Sequence, residues 1–389
     1  MSRFARPQTP DGRSSASTLE LFYDLVFVFA VTQISHALLE HLDWTTAGQQ
    51  LIVLLAVWTS WNYTTWVTNE LDTEAPAVRA MVIAVMLCSL LMAVAIPYAW
   101  GERALLFAGA YVAIQVGRHA FLTFVCGSRG SKERLRAGRI LTWLCASGVF
   151  WIAGALAPEG TARALLWIAA ASIDFVGPFL AYRIPGAERL SLDVWEVASE
   201  HFAERFQLFI IIALGESIVI TGATTSGLEL DAATLTALVV AFLGSASFWW
   251  LYFNRGAGFA ARALERSERR TELARDLYTY MHIPLVAAII LFAIGDEIVI
   301  AHPGDQLATA ELLTLAAGPA LFLTTLSLMR LRATGTPNRR RLIAAAAIAA
   351  IAVVGQSLPA LALSALILAV LIAVLAIDEF AFRHRAVGP

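Results

Sequence analysis

Apolar positions dominate this chain in long runs, and polar positions collect in short stretches between them. Runs of about 17–25 residues are long enough to cross a bilayer as helices. Twelve are read near residues 19–39, 47–68, 78–98, 103–125, 137–156, 162–182, 203–222, 232–253, 277–300, 309–329, 341–356 and 359–380. No charged residue lies between Leu342 and Ile377, a stretch that accommodates two short spans joined at Gly355-Gln356-Ser357-Leu358-Pro359. The pattern predicts an all-α, polytopic membrane helix bundle of about twelve transmembrane helices.

Basic residues orient these runs, because Lys and Arg are retained on the cytosolic side. With the N-terminus inside, every Lys and Arg except Arg103, Arg118 and Arg163 falls in a tail, an inner loop or an inner helix end. Both termini are therefore expected in the cytosol. The stretch 255–276, "RGAGFAARALERSERRTELARD", reads as a helix-prone inner connector, with contact to anionic lipid heads as the sharper alternative.

Composition agrees. Hydrophobic residues make up 58% of the chain and charged residues 15%, with mean hydropathy +0.68. A soluble domain is nearer half apolar and a quarter charged. Cys88, Cys126 and Cys145 form no CxxC pair, so neither a disulfide framework nor a metal site is indicated. The first 17 residues lack the apolar core of a signal peptide and read as a disordered cytosolic tail. Lipids are the expected partners, with a small ion or solute. A homo-oligomer stays open; nucleic acid is not expected.

The run from Leu19 to Leu38, "LELFYDLVFVFAVTQISHAL", carries charges that are costly inside a membrane. At 100° per residue, Glu20, Asp24, Val31 and Ser35 form one stripe, edged by Thr32 and His36, while Phe22, Val26 and Phe29 point away. In the seventh run, Glu200, His201, Glu204, Gln207 and Gly215 share a face, with Glu216 at its edge. Glu216 lies ~16 Å along the helix from Arg205, the deepest acid in the chain. Arg118 reaches similar depth, with His119 beside it, and is expected to neutralise Glu216 or Asp174. Asp174 and Asp378 lie ~13 and ~8 Å from the nearest cytosolic Arg. The expected ion pathway comprises Glu20, Asp24, His36, Arg118, Asp174, His201, Glu204, Glu216 and Asp378. The bland alternative for each is a structural ion pair or hydrogen bond. Asp296 and Glu297 read as a wet outer helix end.

Run one and run seven also resemble each other: "ELFYDLVFVFAVTQI" aligns with "ERFQLFIIIALGESI". Runs six and twelve share an Ile-Asp pair before a cytosolic Arg, and runs two and eight end in Trp/Tyr/Asn clusters. The chain is thus expected to hold two parallel six-helix repeats, residues 18–183 and 203–382. Residues 184–202 would be a cytosolic linker and 383–389 a cytosolic tail. Transporters often place their site between such halves.

"ELFYDLVFVFAVTQIS" together with "EHFAERFQLFIIIALGESI" resembles the bacterial low temperature requirement A family. The resemblance covers about residues 16–382 and implies a multi-pass inner-membrane protein linked to growth in the cold. Its motif residues map to Glu20, Phe22, Tyr23 and Asp24, and to His201, Glu204, Arg205, Gly215 and Glu216. Gln207 stands where the family pattern has glycine. Phe22-Tyr23-Asp24 is also similar in layout to the Phe-Ser-Asp helix of two-repeat endosomal and bacterial potassium channels. Tyr23 replaces the Ser, however, and the second half has Phe206-Gln207-Leu208.

Three functions are weighed. The first is a transporter or channel for a proton, cation or small polar solute. The second is a non-transporting sensor or assembly protein. The third, less favoured, is a membrane-embedded enzyme: HExxH and GxSxG are absent, and Ala293 breaks the Gly-x-Gly-Asp pattern before Asp296. No catalytic residue, cofactor or metal is expected.

Overall fold

The computed structural model describes residue 4 and residues 16–186 and 199–386. The expected N-terminal tail and the linker 184–202 lie largely outside the described residues, as does the end of the C-terminal tail. Among the described residues the chain is all helical apart from turns; an isolated bridge joins Gln306 to Pro359. Helices occupy each apolar run. They are α1 (Thr18–Glu40), α2 (Trp44–Glu70), α3 (Pro76–Ala95), α4 (Ala104–Phe121), α5 (Lys132–Leu156), α6 (Thr161–Val176) and α7 (Ser199–Ser226). After them come α8 (Ala232–Leu251), α9 (Gly258–Arg266), α10 (Arg270–Ala274), α11 (His282–Ala301), α12 (Thr309–Thr334), α13 (Arg339–Val354) and α14 (Ala360–Ala386).

Among the described residues, nine helical segments are long and apolar enough to cross a membrane. Three helices fall outside that set, and the reasons are local. α6 and α13 have 16 residues each. α2 is long enough, but its second half, "TSWNYTTWVTN", is polar. Thr59, Ser60, Asn62, Thr64, Thr65, Thr68 and Asn69 are all buried there, so α2 turns its polar half inward.

The helix ends follow from sequence chemistry. Ser17 and Glu20 form a reciprocal capping box at the start of α1. Asp43 caps α2 through the amides of Thr45 and Thr46. Those bonds, the Thr46 amide foremost, hold its carboxyl below the usual range. The sixth run was expected to continue to residue 182, but α6 stops at Val176. Gly177-Pro178 ends it, because proline cannot donate the next helical bond. The chain then turns back through Ala181 and Tyr182, both left-handed at φ 48° and 50°. The Tyr182 hydroxyl meets that of Tyr63 at 2.7 Å, which anchors the turn.

The chain divides into two compact units, residues 1–205 and 206–389, the division falling inside α7. In the first unit α1 packs on α2 and α3, α4 on α3 and α5, and α5 on α6, while α2 also meets α4 and α6. Trp100, Phe107, Trp151 and Trp167 stack into an aromatic core. A Cβ at Gly154 would collide with the Trp167 ring. Two of the three arginines outside the expected cytosolic set have structural roles here. Arg163 is buried and binds the carbonyls of Gly154, Trp100, Gly101 and Ala157. Arg103 binds the Val94 carbonyl and covers the Tyr98 ring. Each places a cation on carbonyls at a helix C-terminal end, where the macrodipole favours it.

In the second unit α11 packs on α8, α12 and α14, and α13 on α12 and α14. The α11–α12 approach is close. A Cβ on Gly318 would lie 2.7 Å from the Phe292 nitrogen and 2.9 Å from the Ala288 carbonyl oxygen.

Candidate functional site

α1 and the first two turns of α7 bring four ionisable side chains together in the first unit. Glu20 and Asp24 stand one turn apart on α1, and His201 and Arg205 one turn apart on α7. All four are buried, none more than 1% exposed. Arg205 Nη2 donates to Asp24 Oδ1 at 2.6 Å, and Nη1 lies 3.1 Å from Glu20 Oε1. Trp61 Nε1 of α2 donates to the same Asp24 oxygen at 2.8 Å. His201 Nε2 lies 3.1 Å from Glu20 Oε2, and Nδ1 lies 3.2 Å from Asn69 Oδ1. Glu20 Oε2 also accepts the Ser17 amide at 2.8 Å, so one carboxylate caps its helix and joins the cluster.

Among the described residues, two carboxylates face one guanidinium and one imidazole. A protonated His201 would donate to both Glu20 and Asn69. A neutral one requires the Asn69 amide to turn its NH2 toward the ring. Asp24 Oδ2 is buried and has no hydrogen-bond partner.

A second polar string runs along the buried face of α4, through Tyr111, Gln115, Arg118 and His119. Arg118 is fully buried. It donates to the Ser60 carbonyl at 3.3 Å, to Thr64 Oγ1 at 2.8 Å and to Gln115 Oε1. Its guanidinium also lies 5.6 Å from the centre of the Tyr63 ring. The expected pairing of Arg118 with Asp174 is not formed. Asp174 Oδ2 instead accepts from Tyr111 at 2.6 Å and Trp151 Nε1 at 3.1 Å, and its Oδ1 has no hydrogen-bond partner. A backbone carbonyl, a threonine and an amide replace a carboxylate as the acceptors for Arg118. The Tyr23 hydroxyl donates to the same Ser60 carbonyl at 3.2 Å, which links the string to α1.

The remaining expected site residues are dispersed. His36 is exposed and does not extend the α1 seam inward. Phe22 and Phe29 are exposed on the apolar side of α1. Glu204 is half-buried and accepts the Ala16 amide at 3.0 Å. Asp378, in the second unit, pairs with Arg341 at 3.3 Å and Arg340 at 3.9 Å. Glu216 is buried on the second-unit part of α7, next to Ser217, whose hydroxyl meets that of Ser245. Gly215 leaves open space where a Cβ would stand.

Arg205 was expected only as a motif residue and a cytosolic landmark, yet it holds both acids of α1. The face of α7 that meets α1 is His201–Arg205; Glu200 on the expected face is exposed. Trp61 and Asn69 gave little signal, since isolated polar residues on an apolar helix have many uses. The S-x-x-E spacing of Ser17 and Glu20 was the available clue to the capping box that Glu20 also makes. Asp296, expected at a wet helix end, is 1% exposed, because α12 packs closely against α11 beside it.

Apolar helices of membrane-crossing length, folded around buried charged side chains, define the class: a multi-span helical membrane protein. The chain belongs to the bacterial low temperature requirement A family, whose model matches residues 15–376. A curated protein of Rhizobium meliloti (strain 1021), itself uncharacterised, is 38% identical over 313 residues. That alignment covers 80% of this chain and 76% of the relative. No solved structure matches.

Proposed function

We propose that this protein moves a proton, a cation or a small polar solute across the membrane, with Glu20, Asp24, His201 and Arg205 as its ion-binding site. One observation carries the reading. Among the described residues, Glu20 and Asp24 share Arg205 in a buried site, with His201 against Glu20. Ionisable groups inside membrane segments are costly, and ion and proton pathways are where they are found. His201 sits against Glu20 and takes no part in the Arg205–Asp24 pair. Asp174, whose described contacts are all neutral, and Arg118, held by neutral acceptors, would extend the pathway across the first unit. Glu216 would serve the second.

Within this proposal the chain has about twelve transmembrane helices, counting α2, α6 and α13. It forms two parallel six-helix repeats and sits in the bacterial inner membrane with both ends in the cytosol. The twelve helix-filled runs and the inward bias of Lys and Arg support that layout. Cysteine labelling from each side of the membrane tests it: residues placed at 130 and 335 should label from the inside and at 160 from the outside.

A sensor or assembly role is the second reading, favoured by the closeness of the Arg205–Asp24 contact at 2.6 Å. Ion flux separates the two. A transporter loses flux when His201 or Glu20 is neutralised, whereas a sensor shows none to lose.

A further inference from the structure

The second unit contains a buried acid that the proposed site does not use. Asp296 lies on α11, ~8 Å along the helix from its end at Ala301. It is 1% exposed, and neither carboxylate oxygen has a hydrogen-bond partner. Among the described residues no Lys, Arg or His pairs with it. We propose that Asp296 is a proton-binding site of the second unit, carrying its proton as a neutral carboxylic acid.

The surroundings argue for a proton over a metal cation. On its own helix face Asp296 is flanked by Phe292, Ala293, Val299 and Ile300, all buried. One residue earlier, a Cβ on Gly295 would lie 2.9 Å from the Leu315 Cα, so α12 closes in tightly beside it. Hard cations require several oxygen ligands at fixed distances. A proton requires one. An ionised carboxylate without a partner in such a setting is strongly disfavoured, and neutralisation is the ordinary response.

Glu216, buried on α7, lies ~12 Å along that helix from Thr224, and the other charged groups named on the elements around α11 are engaged elsewhere or lie toward the helix ends. The neighbouring Glu297 accepts from Thr224 of α7 at 3.2 Å. Asp231 caps α8 on the Thr234 amide, and Glu311 accepts the Ala308 amide at the start of α12. Near the other end of the unit, Arg332 of α12 pairs with Asp276, and Asp378 of α14 pairs with Arg340 and Arg341. Arg330 lies in the same last turns of α12 as Arg332.

This inference does not depend on transport by the first-unit cluster. Infrared difference spectra of the full chain in lipid, native against Asp296→Asn, test it. Loss of a protonated carboxylic-acid carbonyl band in the variant is expected. Loss of ionised-carboxylate bands instead overturns the proposal. Should the Asn variant fail to fold, dicyclohexylcarbodiimide labelling of the native chain decides. The carboxyl O–H adds across one C=N bond of the reagent, so only the protonated form reacts. A label on Asp296 that declines from mildly acidic to basic pH supports the site, and its absence across that range overturns it. Neither readout measures flux, so failure here is distinct from failure of the transport reading.

Discussion

Arg205 carries two acids from another helix on one guanidinium, so its loss would take the described cation from both. Removing one partner of a buried ion pair leaves an uncompensated charge, at a cost of about 3–5 kcal/mol. Arg205→Gln should destabilise the protein by about that amount in thermal unfolding in lipid or detergent. Adding Glu20→Gln and Asp24→Asn to it should recover part of the loss, because the orphaned charges are then gone. Strictly additive losses would show that the four groups do not act as a unit. Asp174 behaves differently because its described contacts are neutral. Asp174→Asn keeps a carbonyl oxygen for Tyr111 and Trp151 and should be mild. Asp174→Leu leaves a buried hydroxyl and a buried indole N–H unmade, about 1–3 kcal/mol each. Equal stability of the Asn and Leu variants would count against that hydrogen-bond pair. The sequence marked Glu20, Asp24 and His201 because charges in an apolar run stand out at once. It could not mark Arg205 as their partner, since an arginine at an inner helix end is also what topology alone predicts.

Element by element, the helices were legible and their ends less so. Apolar runs announced where helices form, and Gly177-Pro178 explains why α6 ends before the apolar run does. Asp43 sets a small pH dependence. Its folded carboxyl titrates below the ordinary value, so its cap contributes above the unfolded pKa and is lost as pH falls through the folded one. Helix contacts were not legible, because glycine in an apolar run does not say which neighbour approaches it. Gly318 and Gly109 show the contrast. A Cβ at 318 meets backbone atoms of α11 that cannot swing away, whereas one at 109 meets nothing within 4 Å. Gly318→Ala should destabilise by about 1–3 kcal/mol. Gly109→Ala should be neutral or stabilising by about 0.5–1 kcal/mol, through helix propensity. Similar melting temperatures for the two variants would contradict the close α11–α12 packing.

For the whole molecule, the hydropathy pattern established a multi-span helical protein, and family membership agrees with it. The charge pattern also pointed to a buried polar interior. It misjudged depth at Asp296, because a count from the helix end places a residue along the axis and says nothing of what packs around it. It also spread the acids into one long pathway, whereas the structure gathers Glu20, Asp24, His201 and Arg205 into one site and leaves His36 exposed. The account therefore rests on what that site does when an ion gradient is applied. The direct measurement is flux in proteoliposomes holding the full chain, with a trapped pH indicator under a pH gradient and, separately, under a potassium gradient. The native protein should carry flux above protein-free vesicles. Glu20→Gln and His201→Gln, reconstituted in equal amounts, should lower it ~10-fold or more, the equivalent of about 1.4 kcal/mol in the barrier. Flux unchanged in both variants, or none from the native chain under either gradient, would contradict the account.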